Sequence, residues 1–137
     1  MTEGAAGGKA KGQDRERAVL IVDDDDATRL LLKATVDGLP VPCRVYEAAD
    51  GDTALEIAAR HRPDLALIDI VLPGSSASGV LVCARLCRDH RTTVVVISGQ
   101  AHESIVQAAL SAGAVAYVRK PFSVEDLRGK LAGWLSQ

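Results

Sequence analysis

The sequence predicts a doubly wound α/β domain, a five-stranded parallel sheet covered by helices on both faces. Three observations carry this. Short apolar runs alternate with stretches of helical periodicity, as repeated βα units require. The runs Ala18 to Val22, Leu65 to Ile68 and Thr93 to Ile97 are continuously apolar or β-branched, as strands buried on both faces are. Polar residues follow several runs directly, at the carboxyl edge where open α/β sheets place their chemistry.

The elements follow in order. Residues 1–17 have no apolar periodicity and read as a disordered tail, which leaves residues 18–137 for one domain. Ala18 to Val22 is the first strand and runs into Asp23, Asp24, Asp25 and Asp26. A helix is expected from Asp26, as N-cap, to Asp37, with Leu30, Leu31 and Ala34 inward and Gly38 as its stop. Cys43 to Glu47 is the second strand. A helix from Asp50-Gly51 to His61 buries Ala54, Leu55, Ala58 and Ala59.

The third strand is entered through Pro63-Asp64 and closed by Asp69. Turn formers fill Pro73 to Gly79. A helix from about Val80 to His90 places Val80, Cys83, Ala84 and Cys87 inward. Thr93 to Ile97 is the fourth strand and ends at Ser98-Gly99. A helix from His102 to Ala112 stops at Gly113, and Ala114 to Arg119 is a short fifth strand broken by Lys120-Pro121. Ser123-Val124-Glu125-Asp126 opens a last helix, with Val124, Leu127, Leu131 and Leu135 at helical spacing. Right-handed crossovers and this size favour the flavodoxin-like order 2-1-3-4-5.

Composition narrows the function. The chain has 137 residues, 47% hydrophobic and 25% charged, with a formal net charge of −2, so neither nucleic acid nor an anionic membrane is an expected general partner. No apolar run is long enough to span a membrane and no signal core stands out, so a cytoplasmic location is expected. Three cysteines, Cys43, Cys83 and Cys87, make no disulfide framework. Cys83, Cys87 and His90 lack a fourth ligand for a structural zinc and read as packing residues.

The order 2-1-3-4-5 brings Asp23, Asp24 and Asp69 to one edge, with Ser98 and Lys120 on neighbouring strand ends. Clustered carboxylates need a cation, and oxygen ligands suit Mg2+. A cation so held, the Lys120 ammonium and the Ser98 hydroxyl can all take phosphoryl oxygens, which makes Asp69 the sensible nucleophile for an aspartyl phosphate. Gly99 leaves the approach open.

These residues resemble the receiver domain of two-component response regulators. The segments that carry the resemblance are Val19-Leu20-Ile21-Val22-Asp23-Asp24, Leu67-Ile68-Asp69-Ile70-Val71-Leu72-Pro73-Gly74, Val96-Ile97-Ser98-Gly99-Gln100 and Ala112 to Phe122. The resemblance implies that Asp69 accepts a phosphoryl group from a phosphohistidine on a histidine kinase or phosphotransfer protein. It implies that Asp24 ligates Mg2+ directly, Asp23 through water, and the Val71 backbone carbonyl as a third ligand. Lys120 would pair with the phosphoryl group beside a cis bond to Pro121, Ser98 would move toward it, and Tyr117 would turn inward. Three departures matter: the loop from Pro73 to Gly79 is about two residues longer than the pattern, which leaves open the Gly79 equivalence and the start of the third helix; Asp25 and Asp26 extend the acidic pair where the family is variable, either favouring cations or capping the helix; and Val71 and Gln100 sit where the family tunes hydrolysis, Gln100 being the better placed to orient water.

Other readings stay open. Asp23-Asp24-Asp25 has the Asp-x-Asp spacing of haloacid dehalogenase-like phosphohydrolases, with Asp23 and Asp25 as the acting pair. A receiver-like interaction module without phosphorylation is a third. If the chain is a whole protein, output passes to a downstream protein through the fourth helix, fifth strand and last helix, with His102, Glu103, Gln107, Arg119 and Trp134 as candidate contacts, and a phosphorylation-dependent dimer is one form this can take.

Overall fold

The computed structural model describes residues 15–72, 78–99 and 101–136. Its elements alternate throughout: β1 (Arg17–Val22), α1 (Asp26–Asp37), β2 (Cys43–Ala48), α2 (Gly51–His61), β3 (Leu65–Ile68), α3 (Gly79–Asp89), β4 (Thr93–Ser98), α4 (Glu103–Ser111), β5 (Ala116–Arg119) and α5 (Val124–Leu135). The five strands lie in the order β2-β1-β3-β4-β5 and all pairs are parallel. The expected architecture is the observed one.

The continuous apolar runs are explained by burial on both faces. Alternate residues of one strand enter two separate cores. Leu20, Val22, Ala66, Ile68, Val94 and Val96 pack with Ala54, Ala58, Val82 and Leu86 of α2 and α3. Val19, Ile21, Leu65, Leu67, Val95 and Ile97 pack with Leu32 and Val36 of α1 and Leu127, Leu131 and Leu135 of α5. Each Val, Leu or Ile among them, fully withdrawn from water, contributes roughly 1.5–3 kcal/mol, and the alanines less.

Three helix faces differ from expectation. In α1 the cap is Asp25, whose side chain accepts from the Thr28 N–H, and the buried residues are Leu32, Thr35 and Val36. Leu30 and Leu31 are 70% and 44% exposed instead. Three consecutive leucines let the sequence be read in more than one phase, and packing against the sheet and α5 selects Leu32. In α2, Ala54 and Ala58 are buried as expected, but Leu55 is half-buried and Ala59 exposed. In α3 the apolar run Val80 to Cys83 hid a similar ambiguity: Val82, Cys83 and Leu86 are buried, while Val80, Ala84 and Cys87 are half-buried.

Boundaries shift by a residue or two. β1 begins at Arg17 and β5 at Ala116, and His102 and Ala112 cap α4 rather than belonging to it. The loop residues 73–77, Gln100 and residues 1–14 lie outside the described residues, and with them most of the expected tail, Pro73-Gly74 and the role expected of Gln100. The start of α3 is nevertheless defined. Ser78 caps it, and a Cβ on Gly79 would overlap the Ile70 carbonyl, so glycine is required there whatever the length of the preceding loop.

Candidate phosphoacceptor site

Each strand end is fixed by its neighbour's ladder. The Asp23 N–H donates to the Ala48 carbonyl at 3.0 Å, and the Asp69 N–H donates to the Val22 carbonyl at 2.8 Å. The β1–β2 pairing therefore continues into Asp23 and the β1–β3 pairing into Asp69, which sets the two acidic residues at one edge. The Lys120 N–H donates to the Ser98 carbonyl at 3.2 Å, which extends the β4–β5 pairing and brings the lysine to the same edge.

The side chains then converge. Lys120 Nζ donates to Asp23 Oδ2 at 2.8 Å and to Asp69 Oδ2 at 3.1 Å. The other oxygens are taken locally: Asp23 Oδ1 accepts the Asp25 N–H at 2.9 Å, and Asp69 Oδ1 accepts the Val71 N–H at 3.0 Å. Asp23 is fully buried, Asp69 half-buried and Asp24 exposed. Burial pulls the Lys120 ammonium toward its neutral form, but the hydrogen bond to Asp23 and the charge of Asp69 outweigh it and hold the lysine above its ordinary value.

Ligand oxygens of Asp23, Asp24 and Asp69 all lie within 4.8 Å of one another. This all-oxygen set fits a hard divalent cation. Among the described residues it is the one group of acidic, His or Cys side chains so placed; Cys83, Cys87 and His90 form none. Burial pushes the Cys83 thiol up to about 12, which makes it a poor ligand and a poor nucleophile.

Ser98 is buried at the end of β4. Its carbonyl also accepts the Tyr117 hydroxyl at 3.0 Å, so the half-buried Tyr117 ring is tied to the strand that carries Ser98. The Lys120–Pro121 bond is cis, as the resemblance implied. A Cβ on Gly99 would meet Lys120 Cβ at 3.4 Å, an ordinary contact, so a small side chain fits there and the openness attributed to glycine is not a steric necessity.

One participant escaped the sequence reading. Arg29 of α1 donates to the Asp23 carbonyl at 2.6 Å and to Glu47 at 3.3 Å, and pairs with Asp26. It anchors the acidic turn from behind. An arginine on a helix start next to acidic residues looks like any solvated charge, and only the return of β2 beside β1 shows its target.

A family model described as "Response regulator receiver domain" matches residues 19–132. The chain belongs to the response regulator receiver domain family. It is 34% identical over 113 residues to the transcriptional regulatory protein PdtaR of Mycobacterium tuberculosis, covering 81% of this chain and 53% of PdtaR. It is 28% identical over 117 residues to sporulation initiation phosphotransferase F of Bacillus subtilis, covering 85% of this chain and 92% of that protein. Against the KDP operon transcriptional regulatory protein KdpE of Escherichia coli the identity is 36% over 113 residues, 82% of this chain and 48% of KdpE. The chain thus spans about half the length of PdtaR and KdpE. A CheY-like receiver domain protein of Methanospirillum hungatei superposes with a TM-score of 0.79 at 27% identity, covering 88% of this chain and 94% of that one. Receiver domains are signalling modules of two-component systems, and no helix among the described residues is long and apolar enough to cross a membrane.

Proposed function

We propose that this receiver is a phosphorylation switch in which Asp69 accepts a phosphoryl group from a phosphohistidine on a histidine kinase or phosphotransfer protein. The observation that carries this is the Asp69 carboxylate held beside both a lysine and an acidic pair. The bond formed is between Asp69 Oδ and phosphorus; the bond broken is the donor's N–P bond, whose electron pair leaves with the imidazole nitrogen. Lys120 orients the acceptor before transfer and afterwards has an ammonium to offer a phosphoryl oxygen. Asp24, Asp23 and Asp69, with the Val71 carbonyl, are the residues that would hold Mg2+. Bound there, the cation would offset the charge of the incoming group.

Ser98 and Tyr117 are the proposed switch. They share one hydrogen bond at the Ser98 carbonyl, so a displacement of Ser98 toward the phosphoryl group changes what the tyrosine hydroxyl can reach. The surface read out is that of α4, β5 and α5, where His102, Glu103, Gln107 and Arg119 are exposed and offered to a downstream protein. Trp134 does not belong to this face. It lines a cavity with Arg17, Asp64 and Thr93, at the opposite, amino end of the strands.

The phosphohydrolase alternative needs Asp25 free as an acid, whereas Asp25 caps α1 with both its contacts on Thr28. Hydrogen exchange tests the switch. Acetyl phosphate with Mg2+ should alter protection in β4, α4 and β5 of the parent and leave Asp69→Asn unchanged; identical exchange with and without donor would refute it.

A further inference from the structure

At the amino edge of the sheet, opposite the carboxylates, lies a cavity of about 260 Å3. Arg15, Arg17, Arg62 and Arg91 line it with a single acidic residue, Asp64. This is a concentrated positive site on a chain whose net charge is −2. The one carboxylate is already committed. Asp64 Oδ1 pairs with Arg15 at 3.1 Å, and Asp64 Oδ2 accepts the Ala18 N–H at 2.8 Å. Arg17 is buried and spends its Nε on the Leu135 carbonyl at the end of α5. Arg62 and Arg91 make no ion pair with any described residue, so their charge is left for a ligand.

The walls are built rather than incidental. The turns that carry Arg62 and Arg91 are stitched together: Thr92 Oγ1 donates to the Pro63 carbonyl at 2.9 Å, and the Thr93 N–H donates to the Asp64 carbonyl at 3.0 Å. Among the described residues, Arg62 and Arg91, with φ of 47° and 55°, are the non-glycine residues in the left-handed region. Glycine or asparagine is the usual occupant of that region, and a long cation is an uneconomical choice for a turn alone. Trp134, the chain's single tryptophan, also lines the cavity.

We propose that this cavity binds a small phosphate-bearing anion, free or as the phosphate end of a nucleotide, at a site separate from Asp69. Guanidinium groups recognise phosphate oxygens by paired, charge-assisted hydrogen bonds, and the cavity is of the size of one or two phosphate groups rather than a peptide. A ligand there would tie the start of β1 to the turns before β3 and β4, and so stabilise the folded chain.

The single tryptophan makes the test direct. The full chain is titrated, without Mg2+, with inorganic phosphate, inorganic pyrophosphate and ADP, each against sodium chloride at matched ionic strength. The expected result is a saturable change in tryptophan fluorescence and a rise in Tm with pyrophosphate, with phosphate weaker. A response to ADP beyond that to pyrophosphate would assign a nucleotide, and equal responses a free phosphate compound. Arg62→Gln and Arg91→Gln, both exposed, should each weaken binding about tenfold, while Asp69→Asn binds as the parent does. The proposal is overturned by a response no larger than that of chloride, by binding that survives the Arg62→Gln/Arg91→Gln double variant, or by binding lost in Asp69→Asn. Retained Tm of the ligand-free arginine variants shows that they are folded.

Discussion

Lys120 donates to Asp23 at 2.8 Å across 97 residues of sequence, joining the end of β5 to the end of β1 past the ends of β3 and β4. The ammonium stands between two carboxylates, one fully buried. Removing it leaves Asp23 and Asp69 facing each other without a cation. Lys120→Ala should therefore lose about 2 kcal/mol of stability, less than a fully buried pair because the lysine is partly solvated. Mg2+ should restore more stability to this variant than to the parent, since it replaces the missing positive charge. Urea melts with and without Mg2+ check this, and an equal Mg2+ effect in both proteins would contradict it. The lysine's raised value means its contribution is complete below about pH 10 and fades only as pH climbs through that value, so the neutral range is unaffected.

Acid acts at the helix caps instead. The Thr28 hydroxyl and N–H lower Asp25, and the Thr53 N–H lowers Asp50. A carboxylate with a depressed folded value stabilises above its ordinary range, near pH 4, and loses that contribution as pH falls through the folded value. Asp25→Asn/Asp50→Asn keeps both caps but no charge. Its Tm should lie below the parent's at pH 6 and approach it as pH is taken toward 2. A constant difference would show that the charge is immaterial.

Gly113 has a φ of +125°, and a Cβ there would sit 2.8 Å from Cys87 Cβ. Both strain and overlap oppose a side chain. Gly113→Ala should cost about 1–3 kcal/mol in a denaturant melt. Shortening the neighbour with Cys87→Ala removes only the Sγ part of the overlap and should recover only a fraction of the loss.

Tyr117→Phe removes one neutral hydrogen bond, to the Ser98 carbonyl, while keeping the ring packed. It should cost roughly 0.5–1.5 kcal/mol in the unphosphorylated protein. Phosphorylation by acetyl phosphate should persist, because the hydroxyl does not touch Asp69. Loss of phosphorylation in this variant would assign the tyrosine to the chemistry rather than the switch.

The sheet was legible because runs such as Leu65 to Ile68 leave little alternative to a strand covered on both faces, and a parallel sheet brings the polar residues that follow to one edge. Asp23, Asp69 and Lys120 were brought together from that edge alone, with Asp69 as the expected nucleophile, and the resemblance added the phosphohistidine donor and the ligand set as further expectations. Helix phase was less legible. Leu30-Leu31-Leu32 reads as buried in any register, and four consecutive aspartates offer several equivalent caps; Asp25 prevails because Thr28 closes on it. Arg29, Arg17 and Arg128 were missed for a common reason. Each satisfies backbone carbonyls that are distant in sequence or hidden behind a turn, as Arg128 does for Thr35 at the end of α1, and a lone arginine carries no sign of such a target. Trp134 was assigned to the output face by its position near the end of α5, but that end of the helix lies at the amino edge of the sheet.

The most direct measurement is the position of the acyl phosphate after incubation with Mg2+ and acetyl phosphate, mapped by mass spectrometry of the borohydride-trapped peptide. One label is expected, on Asp69, absent from Asp69→Asn and from Mg2+-free samples. A label on Asp23, or none with any small phosphodonor, would contradict it.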